Sequence, residues 1–456
     1  SGTLAFENTS VSPLTPQLEL SASGQIGDGD ERVNLSGAIG FETSAGTTVN
    51  GVIYYDGSDF IAVHDGSSET IAGVGDFSGK SYGEAIQTQG LFAAVSGGQA
   101  QEVQGAYSLA LSGQNQSIKG PHLSVAGGRN QALSGTYSTS VSGQENTIDA
   151  HYSVLLSSSG QSGTMDYALV GLSDQSDIDA QFAVLAGQSQ SLHGDFSGIV
   201  GGRDSSIQGD NNLILSGASH QLSAEHSLVL GGDSHTLSGA YAWVAGGKDN
   251  ALMGTHSSIL GGVAQHLVGD HSSILGGMDN RLIGDQSLVL GGSQQELSGD
   301  RSLILAGKKQ VLSGSKQSIL SGSSNKLHGS YALLLGGHAN EVIGHHSTIA
   351  SGAEQTVHGD WSLISSGSNN SVNAEHSAVL GGYANKVLSD NSSVVSGIGN
   401  TVSAEHSVVA AGEFNTVGED YSVVLAGKNN HATGYASSVA GGQGNLASGD
   451  YSLALG

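Results

Sequence analysis

"HSSILGGVAQHLVGDHSSILGGMDNRLIGDQSLVLGG" is the sequence from His256 to Gly292, and it contains the phrase HSSILGG twice, fifteen residues apart. A third version, QSLVLGG, follows after another fifteen residues. Counting in fifteens from His226 gives fifteen consecutive windows with no insertion or deletion. A fixed period of this kind indicates a repeat architecture, in which each repeat buries its apolar face against its neighbours.

Several positions of the window keep one chemical character. Position 7 is Gly in all fifteen windows, and positions 4 and 12 are always apolar. Position 10 is Asn or Gln in every window except one, where it is His235. Positions 2 to 6 and 10 to 13 have the composition of short strands, and the Gly-containing positions after them favour turns. Two strands and two turns in fifteen residues leave no room for a helix.

The pattern predicts an all-β fold, a parallel β-solenoid with one coil per fifteen residues and a rise of about 4.8 Å per coil. Equivalent residues then lie above one another in columns. Position 4 becomes a buried apolar column, which includes Val229, Val244, Ile259 and Ile274. Position 10 becomes a ladder of amides that hydrogen-bond along the stack, with surface turn formation as the alternative. The asparagines of this predicted ladder include Asn250, Asn280, Asn325 and Asn340.

The repeat frame extends back to Phe92, with a shift of one residue at a fourteen-residue unit that spans 182–195. Residues 92–456 are therefore predicted to form about 24 coils, in a solenoid roughly 115 Å long at the spacing of β-strands. The repeats at 152–181 fit the pattern least well, so we expect a local irregularity there. Residues 1–91 are expected to form a small β cap or packing module, with a hairpin around an Asp56–Gly57 turn in VIYYDGSDFIAVHDG.

Composition and motifs exclude several classes of protein. The chain has 72 Gly, 3 Pro and no Cys, which excludes collagen and a disulfide scaffold. A net charge of −26 with only 14 Lys and Arg argues against nucleic acid, and no apolar run is long enough to insert in a membrane. No phosphate-binding loop or calcium-binding nonapeptide occurs. We therefore expect no enzyme, with no catalytic and no cofactor-binding residues.

One column has the chemistry to bind a cation. Position 15 is acidic on five consecutive coils, at Asp360, Glu375, Asp390, Glu405 and Asp420. Carboxylates about 4.8 Å apart repel one another, and Ca²⁺, which prefers oxygen ligands, would relieve that repulsion. A solvated turn face that keeps the protein soluble explains the same pattern. We favour the solvated face and expect no metal, with Ca²⁺ at these residues as the alternative.

The strand at positions 2 to 6 is apolar on both faces. Position 5, which points away from position 4, forms a stripe of Leu260, Leu275, Leu290, Leu305 and Leu320. A continuous Leu stripe exceeds the exposed apolar area that a soluble monomer tolerates. This face is therefore predicted to meet further copies of the chain in a closed cyclic oligomer. Three chains would join the stripes in one core, whereas two would leave part of each stripe wet.

The repeats "HSVVAAGEFNTVGEDYSVVLAGKNNHATGYASSVAGGQGNLASGDYSLALG" (406–456) resemble the head repeats of trimeric autotransporter adhesins, the YadA-like family. The shared pattern is a Ser–apolar–apolar–apolar–Gly strand, two variable residues, a polar residue and a turn of small residues, and the resemblance covers about 92–456. It implies a left-handed parallel β-roll, three chains side by side, display on a bacterial surface and a role in attachment.

Two functional hypotheses follow. The first is a non-enzymatic adhesin-like rod, extracellular or on the cell surface, whose partners are further copies in a parallel homotrimer and an unidentified surface or matrix receptor. The second is a structural subunit of an extracellular filament, polymerised end to end. It depends on the stub at 451–456, which stops after one strand, because an unpaired solenoid end is a template for further strand pairing.

Overall fold

The computed structural model describes residues 85–456 in full and the strands before residue 85 by their backbone alone. The part of the chain that is described contains β-strands and no helix. It divides into two compact units, Ser1–Ile199 and Val200–Gly456. In both units the strands of successive coils pair in parallel, so the predicted all-β parallel solenoid with fifteen-residue coils is confirmed.

The first unit begins with an antiparallel sheet whose five strands follow chain order. Its strands are Gln17–Glu19, Ile39–Glu42, Gly51–Tyr55, Asp59–His64 and Ser67–Gly73. The third and fourth strands form the hairpin predicted from the sequence, with Tyr55 opposite Phe60. The predicted turn at Asp56 and Gly57 lies outside the described residues.

The rest of the first unit is solenoid. The strands at the start of each coil are Gly79–Lys80, Ala94–Val95, Leu109–Ala110, Ser124–Val125, Thr139–Ser140, Val154–Leu155, Leu169–Asp174, Val184–Gln188 and Gly198–Ile199. The strands later in each coil are Gly83–Glu84, Gln87–Thr88, Gly98–Val103, Gln114–Lys119, Arg129–Thr136, Gly143–Gln144, Thr147–His151, Ser158–Ser159, Ser162–Asp166, Asp177–Gln181 and Ser191–His193.

The second unit repeats two short strands in each coil, which we name strand A (positions 3 and 4) and strand B (positions 11 and 12). The A strands are Leu213–Ile214, Leu228–Val229, Trp243–Val244, Ser258–Ile259, Ser273–Ile274, Leu288–Val289, Leu303–Ile304, Ser318–Ile319, Leu333–Leu334, Thr348–Ile349, Leu363–Ile364, Ala378–Val379, Ser393–Val394, Val408–Val409, Val423–Val424, Ser438–Val439 and Leu453–Ala454.

The B strands alternate with them along the chain. They are Ser206–Gln208, Gln221–Leu222, Thr236–Leu237, Ala251–Leu252, His266–Leu267, Arg281–Leu282, Glu296–Leu297, Val311–Leu312, Lys326–Leu327, Glu341–Val342, Thr356–Val357, Ser371–Val372, Lys386–Val387, Thr401–Val402, Thr416–Val417, His431–Ala432 and Leu446–Ala447. Between the two strands, position 8 makes a single parallel bridge to the same position of the next coil, as Val263 does to Met278.

The interior of a coil is built from alternate positions, as the period of a β-strand requires. In the coil 271–285, positions 2, 4, 10, 12 and 14 are buried, and positions 3, 11, 13 and 15 face outward. Ile274 at position 4 and Leu282 at position 12 are fully buried, each above an apolar residue of the preceding coil. The two apolar columns therefore form the core.

Two residues in each coil, apart from the glycine of position 7, have a left-handed backbone. Position 1 and position 9 have φ near +55°, as at His256 and Ala264. Strand residues donate to the following coil, so that Ser258 N–H bonds Ser272 O at 3.0 Å. The left-handed residues donate instead to the preceding coil, since His256 N–H bonds Ala240 O at 2.9 Å. At positions 1 and 9, the positive φ thus turns the backbone N–H toward the preceding coil instead of the following one.

The conserved chemistry of position 7 has a steric cause as well as a conformational one. Gly277 has φ of 106°, a value that residues with a side chain rarely adopt. A Cβ atom at this position would also overlap the carbonyl oxygen of Gly292 in the next coil. Gly is therefore strongly favoured at position 7, where it occurs in all fifteen windows from His226 onward.

The solenoid begins one coil earlier than the predicted boundary between residues 91 and 92. Lys80 pairs in parallel with Val95, and Thr88 pairs with Val103, both at the fifteen-residue offset. The sequence did not reveal this coil because Lys80 and Thr88 occupy the two positions that are apolar in nearly all of the later coils. The period of apolar residues is lost there, although the backbone register continues.

The fourteen-residue unit at 182–195 appears as a register shift. Val170 pairs with Leu185, fifteen residues on, whereas Ser173 pairs with Gly187, fourteen residues on. Leu172, between these two pairs, is 76% exposed. The shift lies within 152–181, the part of the chain for which the sequence predicts a local irregularity.

We expect Ile274→Asp to unfold the solenoid locally, because it places a charge between the apolar side chains of two neighbouring coils. Amide hydrogen exchange of the strands around Ile274 should become fast, while exchange in distant coils stays slow. Thr236→Asp, at an exposed position of strand B, is the control and should leave exchange unchanged. Slow exchange around residue 274 in the Asp variant would show that position 4 is not in the core.

Candidate interaction surfaces

Position 4 is the centre of the core. Val229, Val244, Ile259 and Ile274, which the sequence assigns to the buried column, each have 0% exposure. They belong to successive A strands that pair in register. No functional group lies in this column, so its role is to hold the outward columns at a fixed spacing.

The amides of position 10 form a hydrogen-bonded ladder inside the coil. Asn250, Asn280, Asn325 and Asn340 are at most 1% exposed. Oδ1 of each accepts the position-10 N–H of the next coil, as from Gln265 to Asn250 at 3.0 Å. Nδ2 donates to the carbonyl of position 7 in the next coil, at 3.0 to 3.4 Å in these four residues. This arrangement is a buried ladder and not a surface turn.

Glutamine completes the ladder less fully than asparagine. Oε1 of Gln310 accepts the N–H of Asn325 at 3.1 Å, which continues the ladder. Nε2 of Gln310, of Gln295 and of Gln355 is buried without a hydrogen-bond partner. Gln265 shows the reverse, since its Nε2 donates to Val263 O at 3.3 Å and its Oε1 has no partner. In these glutamines the longer side chain therefore makes either the acceptor or the donor contact and loses the other.

Two histidines replace the amides on adjacent coils. His220 and His235 are fully buried, and their rings stack with centroids 5.0 Å apart. Nδ1 of His220 accepts the N–H of His235, and Nδ1 of His235 accepts the N–H of Asn250, both at 3.3 Å. Nε2 of both rings lacks a hydrogen-bond partner. Burial, and to a smaller extent the charge of His220, lowers the pKa of His235 to about 4. Burial also lowers the pKa of His220.

A second buried ladder, of serines at position 2, was missed in the sequence. Oγ of Ser257 accepts the N–H of Ser272 at 3.0 Å. Oγ of Ser272 lies 3.0 Å from the carbonyl oxygen of Asp270 and 2.9 Å from that of Gly284. The hydroxyls thus satisfy backbone groups that the strands leave unpaired. Its signal was present, because position 2 is Ser in twelve of the fifteen windows.

The aspartates of the acidic column at position 15 accept hydrogen bonds from backbone N–H groups. Oδ1 of Asp360, Asp390 and Asp420 each accepts the position-15 N–H of the preceding coil, at 2.7 to 2.8 Å. Glu375 and Glu405, which alternate with them, are exposed. In an equivalent contact, the hydrogen bonds from Thr255 lower the pKa of Asp270. Among the described residues no group of three or more His, Asp or Glu side chains is arranged to hold a metal ion.

Aromatic rings stack along position 1, a second feature that sequence reasoning missed. In the second unit, His226, Tyr241, His256 and His271 stack with centroids 4.6 to 4.9 Å apart. The left-handed backbone directs each side chain along the same line. A stacked aromatic pair contributes about 0.5 to 1.5 kcal/mol beyond its buried area, which offsets part of the cost of a left-handed residue.

The Leu stripe lies on the outer side of strand A. Leu260, Leu275 and Leu320 are 41%, 39% and 37% exposed, and Leu290 and Leu305 are half-buried. In the second unit, which is described throughout, positions 3 and 5 together carry only Leu, Val, Trp, Ala, Ser and Thr. We name this surface, formed by positions 3 and 5, the A face. No residue of the A face in that unit is charged.

The opposite side of the coil has a different character. Positions 8 and 11 carry oppositely charged side chains on adjacent coils, such as Arg281 with Glu296 at 3.5 Å and Lys428 with Glu413 at 2.9 Å. These pairs are exposed, so each contributes little to stability, at most about 1 kcal/mol. The charges of the second unit are therefore kept away from the A face.

Comparison with known proteins gives no assignment. No protein-family model matches the chain, and no curated protein is significantly similar to it. The described residues also include no helix with the length and hydropathy of a membrane span.

We expect Asn340→Leu to destabilise its coil by about 1 to 3 kcal/mol, because the N–H of Gln355 and two carbonyl oxygens lose their partner in the interior. Native-state hydrogen exchange of that coil measures the change. Asn373→Leu, at an exposed position, is the control and should change the opening free energy by no more than about 0.5 kcal/mol. Equal effects of the two substitutions would rule out a stabilising amide ladder.

We expect the coils around His235 to lose stability as the pH falls from about 6.5 to about 4. The pKa of His235 is about 4 in the folded chain and near 6.5 when unfolded. In that window the unfolded state binds the proton and the folded state does not, so the contribution present above pH 6.5 is lost on acidification. Asp233 and Asp249, whose charges face His235, oppose the shift.

Hydrogen exchange at pH 7, 5.5 and 4 in wild type and His235→Asn measures this loss. The Asn variant, which restores the residue found at position 10 elsewhere, should lose less protection on acidification. His256→Asn, at an exposed His, should behave as wild type does. If His235→Asn follows the wild-type pH profile, the buried imidazole is not the group that titrates.

Proposed function

We propose that the chain is a non-enzymatic attachment protein, in which parallel copies associate through the A face and expose their remaining columns to a receptor. The observation that supports this most is the absence of charge from the A face of the second unit over seventeen A strands. Apolar surfaces of that extent on soluble proteins are usually interaction sites.

A further copy of the same chain is the partner that this face fits best. The A face repeats at the spacing of the coils, so a parallel copy presents the same side chains at the same interval. The chain also carries a net charge of −26, and copies that met through charged columns would repel one another. Association through the uncharged columns avoids that repulsion and removes Leu side chains from water, at about 25 cal/mol per Å² of apolar area.

Three copies cover the A face more completely than two copies do. A closed ring around one axis lets each chain cover both flanks of its neighbours' stripes, and cyclic closure prevents open-ended growth. The resemblance of the repeats to the heads of trimeric autotransporter adhesins agrees with this arrangement. From the same resemblance we infer a location outside the cell or on its surface, and a role in binding a surface or matrix component.

The repeated outer columns suit attachment better than catalysis. They present the same backbone geometry on every coil with side chains that differ from coil to coil, as at position 11, where Arg281, Glu296, Val311 and Lys326 follow one another. A surface of this kind offers many similar contacts along one line, and weak contacts that act together give strong binding.

We expect the full chain to sediment at three times its 45.7 kDa mass, and the triple variant Leu260→Asp, Leu275→Asp, Leu290→Asp to sediment as a single chain or fail to stay soluble. Three added carboxylates in each copy would meet those of the other copies near the axis, where burying them is costly.

The matched control also places three Asp residues on three successive coils, two of them shared with the triple variant, but on the side of strand B, at Met253, Val268 and Ile283. These apolar residues face outward at position 13, so this variant should keep the mass of three chains. A soluble wild-type chain of single mass, or equal dissociation of both variants, would contradict the proposed interface.

A further inference from the structure

The position-1 column of the first unit is an unbroken stack of eight rings. Neighbouring centroids are 4.4 to 5.1 Å apart along the whole series. Its members are Phe92, Tyr107, His122, Tyr137, Tyr152, Tyr167, Phe182 and Phe196. Each ring therefore lies in contact with the ring one coil away, and the outer edge of the stack faces solvent.

Three consecutive members of this stack are tyrosines. Tyr137 and Tyr152 have centroids 5.0 Å apart and planes within 7°, and Tyr152 and Tyr167 have centroids 4.9 Å apart and planes within 4°. Because the rings are nearly parallel and related by one coil, each ε carbon lies about one ring spacing from the same atom of the next ring. The backbone holds this register, since Tyr152 N–H bonds Thr136 O at 2.9 Å.

The three rings are also accessible. Tyr137, Tyr152 and Tyr167 are 52%, 51% and 52% exposed, so an oxidant in solution can reach each phenol. Coupling requires both rings to leave the parallel stack, by rotation about their Cα–Cβ and Cβ–Cγ bonds, until their ε carbons meet on the solvent-facing side. Proximity of this kind favours a reaction within the stack over one between separate molecules.

We propose that Tyr137, Tyr152 and Tyr167 form a site of oxidative cross-linking, at which a peroxide-driven one-electron oxidant joins tyrosines of adjacent coils. The cross-link is a carbon–carbon bond between ε carbons. The last of the three coils that it ties together contains the register shift between Val170 and Ser173, where the repeat is irregular. The site is independent of the proposed attachment function.

The reaction balances with hydrogen peroxide as the terminal oxidant. Each of two phenols gives up one electron and its hydroxyl proton, and the two tyrosyl radicals pair their electrons in the new bond. The proton on each bonded ε carbon is then lost and each oxygen regains a proton, which restores both aromatic rings. Two hydrogens leave the protein in all, and one molecule of hydrogen peroxide is reduced to two of water.

Other described tyrosines provide internal comparisons. Tyr107 stacks between Phe92 and His122 and has no tyrosine neighbour in the column. In the second unit, Tyr435 meets Tyr421 and Tyr451 edge-on, with planes 69° and 81° apart and centroids 5.5 and 5.6 Å apart. Among the tyrosines that the structure describes, only those of the parallel stack combine the shorter distance with equivalent atoms one coil apart.

The test treats the dilute full chain with a haem peroxidase and hydrogen peroxide, and maps cross-linked peptides by mass spectrometry in the band of single-chain mass. We expect peptides that join residue 137 to 152 or 152 to 167, each two hydrogens lighter than its parts. Tyr152→Phe keeps the stacked ring and removes the phenol, so both peptides should be lost. Tyr107→Phe should leave their yield unchanged.

Single substitutions at the ends of the run separate the two pairs. Tyr137→Phe should leave only the 152–167 peptide, and Tyr167→Phe only the 137–152 peptide. Cross-links of Tyr152 found mainly between chains, or mainly with tyrosines that are not one coil away, would overturn the proposal. The proposal would also be overturned if the yield of the 137–152 and 152–167 peptides were no greater than the yield of peptides that join Tyr435 to Tyr421 or Tyr451.

Discussion

Backbone hydrogen bonds between equivalent positions of successive coils are the constraint on which every other feature of the chain depends. Strand residues donate to the residue fourteen places on, and the left-handed residues of positions 1 and 9 donate sixteen places back. Both offsets hold only when the coil has fifteen residues. A coil of another length changes the offset locally: around the fourteen-residue coil the strands pair fourteen residues apart, and the fifteen-residue offset returns in the coils that follow.

Because the coils stack in register, residues at the same position of successive coils form a column of side chains. A serine or asparagine that would be costly in an apolar interior is satisfied when the same residue lies above and below it, as in the ladders at Ser272 and Asn340. The same repetition turns the uncharged, mostly apolar residues at positions 3 and 5 into the continuous A face. It also turns single aromatic residues at position 1 into stacks in which neighbours are nearly parallel.

Much of the fold was predictable because periodicity alone specifies it. The fifteen-residue period, the buried column that includes Ile274 and the amide column that includes Asn250 follow from residue types repeated without a gap. The coil that contains Lys80 and Thr88 was missed, since its register is carried by the backbone while its side chains break the apolar pattern. Left-handed corners at Tyr152 and similar bulky residues were missed too, because such residues rarely adopt positive φ.

The surfaces were harder to predict than the core. The sequence indicates that Asp390 belongs to an acidic column, but only coordinates show that its carboxylate accepts the N–H of Glu375. Stacking at position 1 was equally hidden, since Tyr, His, Phe and Trp replace one another there. What the sequence indicates most clearly about function is the side of the coil that lacks charge.

An electron cryo-microscopy map of the full chain tests most directly whether the stacked columns form both the core and the interface. We expect parallel strands about 4.8 Å apart, with Ile274 inside each coil and Leu275 turned toward a threefold axis shared with two other copies. A map with a single chain whose Leu275 column faces solvent, or with copies that meet through the charged columns of strand B, would contradict this.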